Sequence, residues 1–184
     1  MVNRYVWFTV VTVFVSVGLL AAIGQDMICP CGDVKVWDGD VKEEDSQHVF
    51  DWWSFSHFIK GLLALLLLSY FFPDRSISWY LFVATLVEAS WEVIENTPYV
   101  IEAMRMTLNT SEYRGDTVLN SFFDIVSMLV GFGYAWRAPT WLTWITILAV
   151  EVFTMVAVRV SLFFTIFLFV FPIDVLQAWQ VAAW

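Results

Sequence analysis

Apolar residues in this chain come in long blocks, each ended by a short polar or helix-breaking interruption. Blocks of about 18 to 20 apolar residues are long enough to cross a hydrocarbon layer as helices. The first covers residues 5–23, preceded by Arg4 and ended by Gly24, Gln25 and Asp26. It is too long for a signal peptide and lacks an obvious small-residue cleavage site. The second covers 53–72 and stops at Pro73, Asp74 and Arg75; the third covers about 78–94 and is broken by Asn96, Thr97 and Pro98. A fourth runs from 117 to 136, and a fifth from about 141 to 158. Apolar character then continues through 160–171, too short for a straight span, and reads as a sixth half-span or re-entrant piece. The end, 173–184, reads as an interfacial helix. The expected fold is all-α: a single domain over 1–184, forming a polytopic helical membrane bundle of five to six spans, with a polar outer loop over 25–52.

Against that apolar background, a few polar positions stand out. Glu88, Glu92 and Glu95 recur at i, i+4 and i+7, which places three carboxylates on one face of the third helix. Asp116, Asn120 and Asp124 follow the same rule on the fourth. His57 and Lys60 lie at the matching depth on the second. Ionisable groups inside a span cost several kcal/mol unless they face the bundle interior and pair. One shared cluster is therefore expected, made of His48, Asp51, His57, Lys60, Glu88, Glu92, Glu95, Asn96, Asp116, Asn120 and Asp124. It has three uses: ligands for a divalent metal, acid–base chemistry between coupled carboxylates, or internal glue between helices. His57, Glu92 and Asp124 are the catalytic candidates, and His57, Glu92 and Asp116 the metal candidates. Ser54, Ser56 and Ser121 lie nearby, but no strained elbow motif marks a nucleophile.

Composition changes the picture little: 60% hydrophobic and 15% charged is far from a soluble domain. The net charge of −9 argues against nucleic acid or an anionic lipid surface as partner. Acids crowd the first loop at Asp38, Asp40, Glu43, Glu44 and Asp45, where a solvated loop or a cation-collecting mouth would both suit them. Arg4, Arg75 and Arg137 fall on one side of an alternating topology and mark it cytoplasmic, against Lys35, Lys42, Arg105 and Arg114 on the other. The loops 25–52 and 97–116 then face outward together. Trp52, Trp53, Trp79, Trp136, Trp141 and Trp184 suit interfacial belts. Cys29 and Cys31 flank Pro30; a bond between residues two apart is strained, so a plain turn with small buried thiols is expected.

Six stretches carry a resemblance: NRYVW at 3–7, ICPCGDVKVWDGDV at 28–41, SQHVFDWWSFSHFIKG at 46–61, WEVIENT at 91–97, GDTVLNSFFDIVSMLVGF at 115–132 and AWQ at 178–180. They resemble an uncharacterised family of small polytopic membrane proteins of alphaproteobacteria, a domain of unknown function, over nearly the whole chain. The layout is also loosely similar to VanZ-like membrane proteins, by architecture alone. The resemblance implies an inner-membrane location and carries no activity. The chain departs from the family pattern at Asp38 and Lys60, where the family has histidines, and at Val160, where it has an aspartate. Those departures remove ligand-type groups.

Two functions are therefore expected. The favoured one is a non-catalytic accessory subunit of a larger, energy-transducing inner-membrane complex, with the cluster as glue and neighbouring subunits packed on an aromatic surface. A mitochondrial inner membrane would suit a eukaryotic source. The alternative is a membrane-embedded, metal-dependent hydrolase acting on a lipid or lipid-linked substrate at the outer face. No cofactor is expected under the first and a divalent metal under the second. Ion conduction is a weaker third, because Glu151 alone stands on the inner side.

Overall fold

A computed structural model describes residues 4–41, 45–108 and 113–182. Lys42, Glu43, Glu44 and Trp184, singled out above, lie outside the described residues. Eight helices follow in order among those described: α1 (Arg4–Ala22), α2 (Trp53–Phe71), α3 (Ile77–Glu95), α4 (Pro98–Leu108), α5 (Val118–Arg137), α6 (Thr140–Val158), α7 (Leu162–Val170) and α8 (Asp174–Val181). No strand occurs among them; a single parallel bridge, Trp37 to Phe50, staples the long loop.

Five helices, α1, α2, α3, α5 and α6, are long and apolar enough to cross a membrane. At 19 or 20 residues each, they reach roughly 28–30 Å, the thickness of the hydrocarbon core. Their outward faces are apolar, as at Phe14, Tyr70 and Val156, which suits lipid rather than water. The protein is a multi-pass helical bundle of membrane type.

The centre is the α2–α5 pair. Gly61 and Gly131 sit where the two backbones touch: a Cβ on Gly61 would meet the Met128 carbonyl, and one on Gly131 the Phe58 carbonyl. Small residues permit this close approach where lipid supplies no hydrophobic drive between helices. Below the crossing, Leu62, Leu65, Met128, Phe132 and Ala135 join Tyr80, Ala84 and Ile147 in an apolar core. α1 packs on α3 and α5, and α6 on α2 and α5.

The helix ends follow from local chemistry. Ser76, Thr117 and Ser161 accept hydrogen bonds from Trp79 N, Asn120 N and Phe164 N, capping α3, α5 and α7. The break expected near Arg159 is there: Arg159 adopts φ +55° and ends α6. Its guanidinium donates to Trp179 O at 2.5 Å and lies over the Trp179 ring. Glu151, inside α6, accepts from Leu162 N (3.0 Å) and Phe163 N (3.3 Å), so it holds the start of α7 and stands toward the end where the acids gather, not on the inner side expected from the sequence. At nine residues, α7 is roughly 14 Å long and spans half a bilayer at most. It packs on α4, as does α8, and α4 and α7 cover the end of the bundle where α3 stops and α2 and α5 begin.

Two expectations are corrected. The 97–116 stretch, read as a loop, contains α4. Pro98 occupies its first position, where the missing N–H costs nothing, and Ile101 is buried on its inner face. Cys29 and Cys31 are joined by a disulfide rather than left as thiols. Gly32 N donates to Cys29 O across a turn with Pro30 second, and Gly32 takes φ +88°. That turn sets the two Cα atoms 5.1 Å apart, inside the span a disulfide uses.

Candidate functional site

The loop before α2 first builds a frame. Asp51 accepts from Trp53 N (2.7 Å) and Ser54 N (3.0 Å), capping α2. Its other oxygen accepts from Asn120 Nδ2 at 3.2 Å, and the same amide group donates to His48 O at 2.9 Å. Ser54 donates to Asp124 at 3.0 Å. Asn96 ties α3 to α5: its Nδ2 donates to Glu92 O (2.8 Å) and Asp116 Oδ2 (3.2 Å), and its Oδ1 accepts from Asp116 N (2.7 Å). Tyr113 donates its hydroxyl to Asp116 at 2.9 Å.

Within this frame His57 Nδ1 is bonded to Glu88 Oε1. Glu92 Oε1 stands 3.2 Å from the same nitrogen, yet makes no hydrogen bond, because the one N–H at Nδ1 serves Glu88. Asp124 Oδ2 lies 3.8 Å from Nε2. Lys60 Nζ is 3.5 Å from Glu88 Oε1 and also sits over the Trp91 ring.

Seven carboxyl groups among the described residues are buried in this assembly: Asp45, Asp51, Glu88, Glu92, Glu95, Asp116 and Asp124. Among the described residues, the basic groups that meet them are His57 and Lys60. Asp45, Glu92 and Glu95 each keep a buried oxygen with no hydrogen-bond partner. Burial pushes the Asp45 carboxyl well above its ordinary range, with the Asp51 carboxylate adding to the effect. Asp51 is raised by burial and then by Asp116. The Tyr113 phenol is raised well above 10 by burial and by Asp116 beside it.

Within this cluster two triads have the spacing of a cation site: His57, Glu88 and Glu92, and Glu92, Glu95 and Asp116, with one ligand atom of each residue within 4.8 Å of the others. Chemistry separates them. The first already holds the ammonium of Lys60 against Glu88. Among the described residues the second meets a basic group only where His57 approaches Glu92, and two of its carboxyl groups carry oxygens that accept no hydrogen bond. A cavity of about 210 Å³ adjoins the cluster, walled by Asp45, His57, Lys60, Glu95, Asp116 and Asp124 on its polar side.

Of the residues singled out in the sequence, Asp51, His57, Lys60, Glu88, Glu92, Glu95, Asn96, Asp116, Asn120 and Asp124 come together at this level. The His48 ring does not face them. Its Nδ1 accepts from Lys35 N (3.3 Å), and its Nε2 lies 3.1 Å from Asp38. Asp38 is buried by that contact, whereas Asp40 is exposed. The loop acids thus divide between structure and solvent. Sequence reasoning passed over Asp45 as one acid in a run, although it accepts from Trp53 Nε1 at 3.2 Å and lines the cavity. It also passed over Thr165, whose signal was its isolation: it is the one polar residue in LFFTIFLFV.

A bundle with these spans and this buried acidic centre is a multi-pass membrane protein. The chain belongs to the family described as "Protein of unknown function (DUF2585)", whose model matches residues 20–182. It is 37% identical to a UPF0314 protein of Paracoccus denitrificans over 177 residues, 96% of this chain and 92% of that one. It is 40% identical to a UPF0314 protein of Novosphingobium aromaticivorans over 168 residues, 88% and 85% of the two chains. A UPF0314 protein of Agrobacterium fabrum is 37% identical over 177 residues, covering 95% and 89%. No solved structure matches the fold.

Proposed function

We propose that the chain is a membrane-embedded, metal-dependent hydrolase of the bacterial inner membrane, acting on a lipid or lipid-linked substrate at the outer face. One observation carries this reading: among the described residues, both buried oxygens of Glu92 and Oε1 of Glu95 accept no hydrogen bond, although they stand beside Asp116. Buried carboxylates persist when paired, metal-bound or protonated. An all-oxygen set of Glu92, Glu95 and Asp116 suits magnesium, manganese or calcium. An ion there supplies a Lewis acid and a water of lowered pKa. His57, gripped by Glu88 at one nitrogen and turned toward Asp124 with the other, is placed to move a proton at the cavity wall. Lys60 brings a fixed positive charge to the same wall. Positive charge on Arg4, Arg75 and Arg137 supports the outward placement of the site.

The accessory-subunit reading treats the cluster as glue. Glue works when charges balance, and among the described residues the carboxyl groups outnumber the basic ones. The test is gentle purification with metal analysis and native mass on one sample. Stoichiometric divalent metal, lost in Glu92→Gln and Glu95→Gln but kept in His57→Ala, is the expected result. A metal-free chain that purifies within a larger hetero-assembly would overturn the proposal and return the cluster to a packing role.

A further inference from the structure

The cavity beside the cluster has a second wall, made by α7. Leu162, Thr165, Ile166, Phe169 and Val170 line it opposite the acids. The Thr165 backbone N–H is bonded to Ser161 O at 2.9 Å. Its hydroxyl is buried, with the residue 6% exposed, and has no hydrogen-bond partner among the described residues. A buried hydroxyl without a hydrogen bond is costly and marks a place where a ligand group fits. On the same wall, Ile166 is 52%, Phe169 42% and Val170 62% exposed on the outside of the bundle. Residues that both line the cavity and face outward show that it opens sideways, where acyl chains of a bilayer lie. Along that opening every α7 side chain except Thr165 is apolar.

We propose that this opening is a portal for one membrane lipid with a phosphate headgroup. The headgroup sits against the Thr165 hydroxyl and the Lys60 ammonium, and the chain lies along Ile166, Phe169 and Val170. The proposal rests on the metal reading in one respect: a cation on Glu92, Glu95 and Asp116 offsets the acids that would otherwise repel the phosphate. Lys60 has three N–H donors, and its contacts with Glu88 and His57 at 3.5 and 3.3 Å are long enough to share. A cavity of about 210 Å³ is smaller than the pockets that enclose drug-sized ligands. It takes the headgroup and the start of a chain, and the rest of the lipid stays in the membrane. The chain's negative charge disfavours adsorption to an anionic surface, but a single headgroup is matched inside the cavity by the ion and Lys60.

The experiment is native mass spectrometry of the whole protein in detergent with phosphatidic acid, phosphatidylcholine or phosphatidylethanolamine, with metal measured on the same samples. Wild type is expected to retain phosphatidic acid over the other two. Thr165→Val, nearly equal in shape, should weaken that retention about tenfold, the worth of one hydrogen bond to a charged group. Ile166→Trp, at an exposed position the fold tolerates, should block the portal. Metal content should be unchanged in both variants. Equal retention of phosphatidic acid by wild type and both variants overturns the portal. So does a preference of the metal-free protein for phosphatidylethanolamine, which would make the acids an amine site. Metal without any headgroup preference overturns the portal alone. Phosphatidic acid selection that Thr165→Val weakens, in protein without metal, supports the portal and overturns the metal-dependent reading.

Discussion

The α2–α5 pair is built in two different ways along its length, and the change takes one helical turn. At Gly61 and Gly131 the backbones touch, and below them Leu62, Leu65, Phe132 and Ala135 fill the seam. One turn above Gly61 stands His57, among Glu88, Glu92 and Asp124. The lower half is shape-matched and holds the helices by contact. The upper half is held by a frame of hydrogen bonds from Ser54 to Asp124, from Asn96 to Asp116 and from Asn120 to His48 O. Between the two, the pair is secured without the buried oxygens of Glu92 and Glu95 that accept no hydrogen bond. Those groups are surplus to assembly, and their cost points to a ligand.

The comparison can be broken first at the glycines. Gly131→Ala drives a Cβ into the Phe58 carbonyl. Because backbone cannot yield as a side chain can, the loss should exceed the ~1–3 kcal/mol of ordinary overpacking. Gly133→Ala, with nothing within 4 Å, is its control and should keep or raise the melting temperature. Thermal melts of both in one detergent would show it, and equal melts would refute the close-contact seam.

In the upper half the frame should matter and the surplus acids should not. Asn96→Ala removes bonds to Glu92 O and both the amide and carboxyl of Asp116. A destabilisation of about 2–4 kcal/mol is expected from the groups left buried and unpaired. In metal-free protein, Glu92→Gln should melt no lower than wild type. A large drop for Glu92→Gln would mean the carboxylate is glue after all.

Smaller effects sharpen the edges. Glu151→Ala removes the acceptor of the Leu162 and Phe163 N–H groups while the Ser161 cap of α7 stays, a loss of about 1 kcal/mol. Its clearer readout is faster hydrogen exchange across α7 than across α6. The least effect is on the pH profile. Asp45 and Asp51 hold their protons more tightly folded than unfolded, since burial raises both. Their contribution is complete below the unfolded value of about 3.9 and is lost as pH rises through the raised folded values. Metal-free protein should therefore melt higher at about pH 5 than at neutral pH, and Asp45→Asn should flatten that slope. A wild-type melt that rises steadily from acid to neutral would contradict it.

Helix positions were legible because a span needs length and apolarity, both local properties. The break at Arg159 and the half-length of α7 could be read for the same reason. Glu88, Glu92 and Glu95 could be assigned to one face from spacing, and depth brought His57 and Asp124 to the same level. α4 was hidden because its polar outer face resembles loop composition, and its helical character emerges from packing Ile101 inward. The disulfide was hidden because residue separation says little about a turn in which glycine takes a left-handed conformation.

By itself, then, the sequence determined that the chain is a helical membrane bundle, where its spans run and which faces carry acid. These follow from the cost of exposing polar backbone and charge to lipid, which every span meets alone. The tertiary structure decided which acids are satisfied. Lys60 reaches Glu88 rather than Glu95, His48 turns to Asp38, Asp45 folds in against Trp53, and α7 lays Thr165 across the cavity. Pairing depends on ångström distances between elements far apart in the chain, and no local pattern encodes those.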